Sequence, residues 1–206
     1  ENELGVSLVR RSGPTVRPTS ACTRIIPRLR SIIAETALLH CDIADDGLAG
    51  PYRIGVISTA LADYVPALVD HLRSLAPKVE LPITPGSSAY LFKLLSNSDL
   101  DAAVFVEPSF QLPKSLMTEV LDQQSFAWIT PTQPTSRELP LIVYDRTSWG
   151  GEIAWRWIEQ TLSSPNLLCE MDAPEIVASL VSGGAGRAGL PVWEGLKKMS
   201  SIDIQG

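Results

Sequence analysis

The sequence predicts an α/β fold with mostly parallel strands, and three observations support this prediction. After Pro51, short apolar runs of strand length alternate with amphipathic segments of helix length. The 206 residues, 45% of them hydrophobic, are enough to bury a core in one or two domains. The longest apolar runs fall far short of the roughly 20 residues that cross a bilayer. We therefore expect a globular protein without a membrane segment.

The first predicted element is a helix that begins at Thr19, with Thr19 as its N-cap. Its apolar residues recur at a spacing near 3.6, as a one-sided helix requires. Pro27 should kink this helix or delay its start. Residues 42–51 combine turn-forming residues with a reversal of charge, which predicts a domain boundary there.

The α/β part after this boundary contains both element types in alternation. The predicted strands are residues 53–57, 78–83, 101–106, 116–121, 126–130, 141–144, 167–170 and 187–190. The predicted helices are residues 60–75, 89–95, 151–162 and 174–181.

The charge of the chain is divided unevenly. Six of the 17 basic residues lie near its start, which leaves 11 against 23 acidic residues, or about −12, elsewhere; they are Arg10, Arg11, Arg17, Arg24, Arg28 and Arg30. This division indicates one part that contacts an anionic partner and one that does not.

Three cysteines at irregular spacings favour reduced thiols in a cytoplasm, and two histidines make a zinc site improbable. No pattern predicts a cofactor.

Two motifs lie at the start of the chain: residues 1–11, ENELGVSLVRR, and residues 16–22, VRPTSAC. They resemble the wing and the following helix start of a LysR-type transcriptional regulator. The family pattern is E-x-x-L-G-x-x-L-F-x-R and then L-T-x-A-G. Val9, Pro18 and Cys22 depart from it, where Phe, Leu and Gly are usual.

Four further motifs resemble the family's effector-binding domain, in the expected order: residues 53–56, 68–77, 100–103 and 181–186. The resemblance implies a two-subdomain effector domain of the periplasmic-binding-protein-like type 2 fold. The end of a winged helix-turn-helix and a linker helix would precede it. Two parts of the family pattern are not found in this sequence: the helix-turn-helix that would precede residue 1, and some of the crossing strands that would follow residue 193.

The resemblance also implies domain boundaries. Residues 1–18 would end the DNA-binding domain, 19–46 would form a linker and dimerisation helix, and 52–206 would form the effector-binding domain. Subdomain I would comprise about 52–106 and 186–206, and subdomain II about 107–185. The hinges would lie near residues 105–108 and 181–187.

Arginines in a wing can neutralise DNA phosphates, which provides affinity rather than sequence recognition. We expect this role for Arg10, Arg11 and Arg17, and the alternative is a solvated basic face. Arg24, Arg28 and Arg30 could instead be exposed residues of the linker helix without a DNA contact. That helix would form a homodimer or homotetramer through an apolar stripe of Ile26, Leu29, Ile33 and Ala37.

Hydroxyl residues follow the predicted strands where helix N-termini can bind an anion. By matched position, the expected effector contacts are Ser58, Thr59, Ser87, Ser88, Val106, Tyr144 and Asp145. Ser58 or Thr59 could instead be only a helix N-cap. The effector could be a carboxylate, but the three first-subdomain loops contain no basic residue, so a neutral or weakly charged ligand is equally open.

The sequence gives less support to two alternative functions, solute binding and catalysis. A solute-binding protein of the same fold would have no use for the arginine-rich segment. An enzyme would need a nucleophile or acid pair organised around a histidine, and no such pattern occurs. Gly183–Gly186 lacks the Lys-Ser/Thr of a phosphate loop. Trp149 could cover a ligand, although a core or interface role is more common for such a residue. The sequence therefore predicts a cytoplasmic, ligand-responsive DNA-binding regulator.

Overall fold

The structure, a computed structural model, describes residues 1–42, 48–133 and 138–206. Residues 43–47, which make up half of the predicted domain boundary at 42–51 and contain the end of the predicted 19–46 segment, lie outside it. So does the side chain of Ala37 in the predicted linker stripe.

The chain begins with an antiparallel hairpin of β1 (Val9–Ser12) and β2 (Thr15–Pro18). Two residues connect the strands, and the first of them, Gly13, has a φ of +60°. A type II′ turn requires a positive φ at this position, which glycine adopts without steric cost. All eight strand residues are exposed, so little tertiary packing supports this hairpin.

The long helix α1 (Ser20–Asp42) follows directly. The hydroxyl of Thr19 accepts a hydrogen bond from the Cys22 amide at 3.2 Å, which confirms Thr19 as the N-cap. The helix runs through Pro27, so this proline does not delay its start.

The first α/β unit contains two small parallel sheets. Its elements in chain order are β3 (Ala49–Pro51), β4 (Ile54–Val56), α2 (Ser58–Leu75), β5 (Lys78–Glu80), β6 (Ile83–Pro85), α3 (Ser88–Ser96) and β7 (Ala102–Val104). One sheet has the order β6-β4-β7, and β3 pairs with β5. Apolar residues of α2 pack on the central strand β4 and form the core of this unit.

The second unit is built around the strand β8. Its elements are β8 (Phe126–Pro131), β9 (Leu141–Tyr144), α4 (Trp149–Glu159), β10 (Leu167–Met171), α5 (Pro174–Ser182), β11 (Ala188–Pro191), α6 (Glu194–Lys197) and β12 (Ile202–Gln205). Strands β11 and β12 flank β8 in antiparallel orientation, and β9 pairs with β10 in parallel. The fully buried Ile129, Ile142, Val177 and Leu190 lie in its main core.

The pairing of β11 and β12 corrects one predicted boundary. Residues 186–206 were expected in subdomain I, but both strands hydrogen-bond to β8. Trp193, Leu196 and Ile202 are also buried in the core of the second unit. The carboxyl-terminal segment therefore belongs structurally to the second unit.

Two strand predictions also differ from the structure. Residues 116–121 form no strand, and Met117, Val120 and Leu121 are exposed, because their apolar side chains find no sheet edge to join. The predicted strand 78–83 is divided into β5 and β6. Pro82 lies at this break, and a proline cannot donate a hydrogen bond within a ladder.

Candidate functional site

The three loops that follow β4, β6 and β7 lie at one edge of the first unit. The strands are parallel neighbours, so their carboxyl ends meet at that edge. The Ile57 amide donates to the Val104 carbonyl oxygen at 3.1 Å, and the Val106 amide donates to the Ser88 hydroxyl at 3.2 Å. Ser88 and Val106 are thus in direct contact, and Ser58 and Thr59 begin α2 directly after Ile57 at the same edge.

The hydroxyl groups at this edge differ in their local roles. Ser87 is the N-cap of α3 and accepts a hydrogen bond from the Tyr90 amide at 3.4 Å. Ser88 is buried, and its bond to Val106 fixes the loop after β7. Helix α2 begins at Ser58, and Ile57 occupies the cap position without a side-chain cap bond. The N-cap interpretation of Ser58 and Thr59 is therefore wrong, because the helix starts earlier than the predicted residue 60.

The second unit contributes the loop between β9 and α4. Tyr144 ends β9, and the Asp145 carboxylate accepts hydrogen bonds from the Thr147 amide and hydroxyl, both at 2.8 Å. Ser148 caps α4 through a hydrogen bond from the Gly151 amide at 3.1 Å. Asp145 is thus held by its own turn.

One polar contact crosses from the first unit to the second. The Ser58 hydroxyl donates to Glu175 Oε2 at 3.1 Å. Glu175 lies in the first turn of α5, directly after Pro174. Its other carboxylate oxygen, Oε1, is shielded from solvent and has no hydrogen-bond partner among the residues that the structure describes. The first turns of α2 and α5 therefore meet at the junction between the two units, which we call the cleft.

An aromatic cluster forms a second contact across the cleft. The Trp149 ring at the start of α4 lies 5.8 Å from the Phe92 ring, 5.6 Å from Phe105 and 5.4 Å from Phe110, between centroids. Phe92 belongs to α3 and Phe105 follows β7, so the contact joins the two units. Trp149 has the packing role that the sequence favoured for it.

Negative charge dominates the second-unit side of the cleft. Burial, together with the neighbouring Asp145 carboxylate, raises the pKa of Asp172 above its usual value. Burial also raises the pKa of Tyr144, and Asp172, Glu175 and Asp145 act in the same direction, against a hydrogen bond with Ser148. Arg146 is engaged elsewhere, because its guanidinium pairs with Glu170 at 2.8 Å.

A third contact ties α2 to the carboxyl-terminal segment. The two carboxylate oxygens of Asp63 accept hydrogen bonds from the Glu194 and Gly195 amides, at 2.9 and 3.1 Å. These amides begin α6, whose free N–H groups need an acceptor.

A surface groove of about 240 Å³ lies at the carboxyl-terminal end of α2. It includes none of the predicted effector contacts and is lined by Val69, Leu72, Arg73, Ala76, Pro77, Val79 and Leu81.

The amino-terminal arginines fall into two groups. Arg10 and Arg17 lie opposite each other in the hairpin, and they and Arg11 are exposed. Arg30 instead pairs with Asp99 at 2.6 Å, and Ser31 bonds to Ser98 at 2.6 Å. Helix α1 is therefore attached to the turn after α3.

The sequence did not identify Glu175 or the phenylalanines as part of this site. The position of Glu175 could have been predicted from the sequence, because a predicted strand ends at residue 170 and a predicted helix begins at 174. That arrangement places Glu175 at the carboxyl edge of a sheet. The aromatic cluster had no comparable signal, because its members come from separate elements.

Comparison with known proteins gives a consistent result. The family described as LysR substrate binding domain matches residues 45–196. The transcriptional activator IlvY of Salmonella typhimurium is 23% identical over 205 residues, covering 93% of this chain and 69% of IlvY. The transcriptional regulator TtuA of Agrobacterium vitis is 26% identical over 208 residues, covering 94% of this chain and 68% of TtuA.

Solved structures show the same fold. A full-length OxyR variant from Pseudomonas aeruginosa has a TM-score of 0.68 and 23% identity, covering 99% of this chain and 70% of that one. The LysR family regulator CbnR has a TM-score of 0.60 and 14% identity, covering 99% and 75%. In the described part of the chain, no helix is sufficiently long and apolar to span a membrane.

Proposed function

This chain belongs to the LysR family of transcriptional regulators, and we propose that a small-molecule effector binds in the cleft between its two α/β units and thereby controls DNA binding. The observation that carries this proposal is the set of contacts across the cleft. Ser58 bonds to Glu175, and Trp149 packs on Phe92 and Phe105. A ligand entering there changes how the units meet, which is the differential interaction that a switch requires.

The predicted contact residues are Ser58, Thr59, Ser87, Ser88, Val106, Tyr144 and Asp145. Their positions at the ends of β4, β6, β7 and β9 support this assignment. Ser88 is buried and serves to position Val106. Ser58 is exposed and the other five are partly buried, so all of them are better placed than Ser88 to contact a ligand.

The exposed hairpin would contact DNA through Arg10, Arg11 and Arg17. Arg10 and Arg17 face each other across the strand pair, where like charges are destabilising without a counter-charge. A phosphate group between them would relieve this repulsion. The pairing of Arg30 with Asp99 favours a structural role for that arginine.

Helix α1 would form the subunit contact. Leu29, Ile32 and Ile33 are exposed at 44%, 55% and 69%, which is unfavourable for a helix that stays unpaired in water. A second copy of the helix would cover them, in a dimer or in a tetramer built from dimers. We place the regulator in the cytoplasm, where its DNA is. The family match and the relatives favour this function over solute binding and over catalysis.

Replacement of Thr59 by Val tests the cleft assignment. The change keeps the side-chain shape and removes the hydroxyl, so we expect loss of the transcriptional response to the effector. DNA affinity without effector should stay within about threefold, because Thr59 is far in sequence and fold from the hairpin. The measurement is expression from the promoter upstream of the gene across a panel of metabolites, combined with fluorescence anisotropy on promoter DNA. The exposed Thr118→Val is the matched control, and a full response in Thr59→Val contradicts the assignment.

A further inference from the structure

Glu175 occupies the position that an anionic effector would need. Its Oε2 accepts a hydrogen bond of 3.1 Å from the hydroxyl of Ser58, which lies in the first turn of α2. A helix N-terminus favours negative charge there, and the protein's own carboxylate already provides it. A carboxylate effector at this point would have to displace Glu175 and lie beside it.

The remaining oxygen of Glu175 lacks a partner. Oε1 is shielded from solvent and accepts no hydrogen bond from the described residues. Buried carboxylate oxygens are normally hydrogen-bonded, because burial without a partner is unfavourable. A hydrogen-bond donor that reaches Oε1 would supply the missing partner.

The charge of the surrounding loops indicates what kind of donor fits. The loops at the ends of the five strands comprise residues 57–59, 85–88, 105–107, 144–148 and 171–175. They contain four carboxylates, those of Glu107, Asp145, Asp172 and Glu175, and one cationic residue, Arg146. Arg146 is paired with Glu170. Burial and the neighbouring Asp145 carboxylate raise the pKa of Asp172, which places two of these negative charges close together.

A metal ion does not match this arrangement. Among the described residues, no three His, Cys, Asp or Glu side chains gather closely enough to hold one. An organic cation has less demanding geometry, since a protonated amine donates up to three hydrogen bonds and needs no closed ligand set.

We propose that the effector is a small organic cation whose protonated amine donates a hydrogen bond to Glu175 Oε1. This inference rests on the proposed function of the cleft and specifies its ligand class. Glu175 is then the residue that selects for positive charge, and Ser58 orients its carboxylate through Oε2.

The test uses three probes of similar length and different charge: butane-1,4-diamine, butane-1,4-diol and succinate. Thermal unfolding and calorimetric titration of the complete gene product should show saturable binding of the diamine only. Glu175→Gln should weaken diamine binding by about tenfold or more, because a charge-assisted hydrogen bond is lost. The exposed Glu119→Gln is the matched control and should bind as the wild type does.

Glu175→Ala removes the whole carboxylate and is the second variant should Glu175→Gln fail to fold; it should also weaken diamine binding by about tenfold or more. Absence of saturable diamine binding, preference for succinate, or equal affinity in folded Glu175→Gln overturns the inference. Promoter-DNA anisotropy on the same samples separates the two proposals. If succinate alone changes DNA binding, the cationic ligand class is wrong and the proposed regulatory function of the cleft stands. If the protein shows no sequence-dependent DNA binding, the proposed function itself is wrong.

Discussion

At the residue scale, the Asp101 carboxylate illustrates how one side chain connects local structure with stability. It accepts hydrogen bonds from the Arg53 backbone amide at 2.7 Å and from the guanidinium at 2.8 and 3.1 Å. Burial raises its pKa, but the bonds from Arg53 outweigh burial and hold the pKa below its usual value. This pair fixes the start of β4 beside β7.

Replacement of Asp101 by Asn should lower the free energy of unfolding by about 1 kcal/mol at pH 7, a modest value because both side chains are partly exposed. A depressed folded-state pKa contributes stability above the unfolded pKa of about 3.9, and this stability is lost as pH falls through the folded value. The difference between wild type and variant should therefore shrink as the pH falls below about 4. Urea unfolding across this range measures it, with the exposed Asp203→Asn as control. A difference independent of pH contradicts the ionic role.

Sequence reasoning at this scale identified the hydroxyl residues of the cleft but not their partners. Ser58 was predicted because it follows a strand, and that rule depends only on local order. Its bond to Glu175 joins residues 117 positions apart, and no local pattern indicates such a pair. The same limit applies to Arg30 and Asp99, which are 69 positions apart.

At the element scale, the loop between β9 and α4 depends on a close backbone approach at Gly151. A Cβ atom there would lie 1.8 Å from the Asp145 carbonyl oxygen and 2.8 Å from the Ser148 hydroxyl. Real Cβ atoms do not approach backbone oxygen so closely. The loop that presents Tyr144 and Asp145 therefore requires glycine at the start of α4.

Replacement of Gly151 by Ala should reduce the free energy of unfolding by about 1–3 kcal/mol, as overpacking does. Gly183→Ala is a matched control, since its Cβ would meet its nearest atoms at 3.6 Å, an ordinary contact. We expect that control to change stability by less than about 0.5 kcal/mol. Denaturant titration compares the two variants, and equal effects would show that the close approach at Gly151 is not decisive.

The elements themselves were predictable where their apolar pattern was continuous. Strand β9 lies at residues 141–144 as predicted, and α5 extends one residue beyond the predicted 174–181. Prediction was wrong at 116–121, because β propensity without a neighbouring strand does not produce a strand. Strand β12 was not predicted, and only its pairing with β8 defines it.

At the scale of the whole molecule, the structure connects the cleft with the amino-terminal helix. Helix α3 begins at Ser88, beside the cleft, and ends near Ser98 and Asp99, which contact α1. Its Phe92 also contacts Trp149 of the second unit. A change in how the two units meet therefore has a direct structural route to the helix that adjoins the arginine hairpin.

The division of charge agrees with this arrangement. Exposed Arg10, Arg11 and Arg17 lie on the hairpin, while the rest of the chain outside the six amino-terminal arginines carries about −12. Such a protein would approach DNA with its basic end, because its acidic domains are repelled by the phosphates.

The most direct test of the account is a fluorescence-anisotropy titration of the complete gene product with DNA from upstream of its own gene, at two salt concentrations. We predict sequence-dependent binding that weakens steeply with salt. Arg17→Ala should reduce the slope of log K against log[salt] by about one, the amount expected for one phosphate contact. Binding no tighter than to random-sequence DNA, with the same salt dependence in wild type and variant, would contradict the assignment of this chain as a DNA-binding regulator.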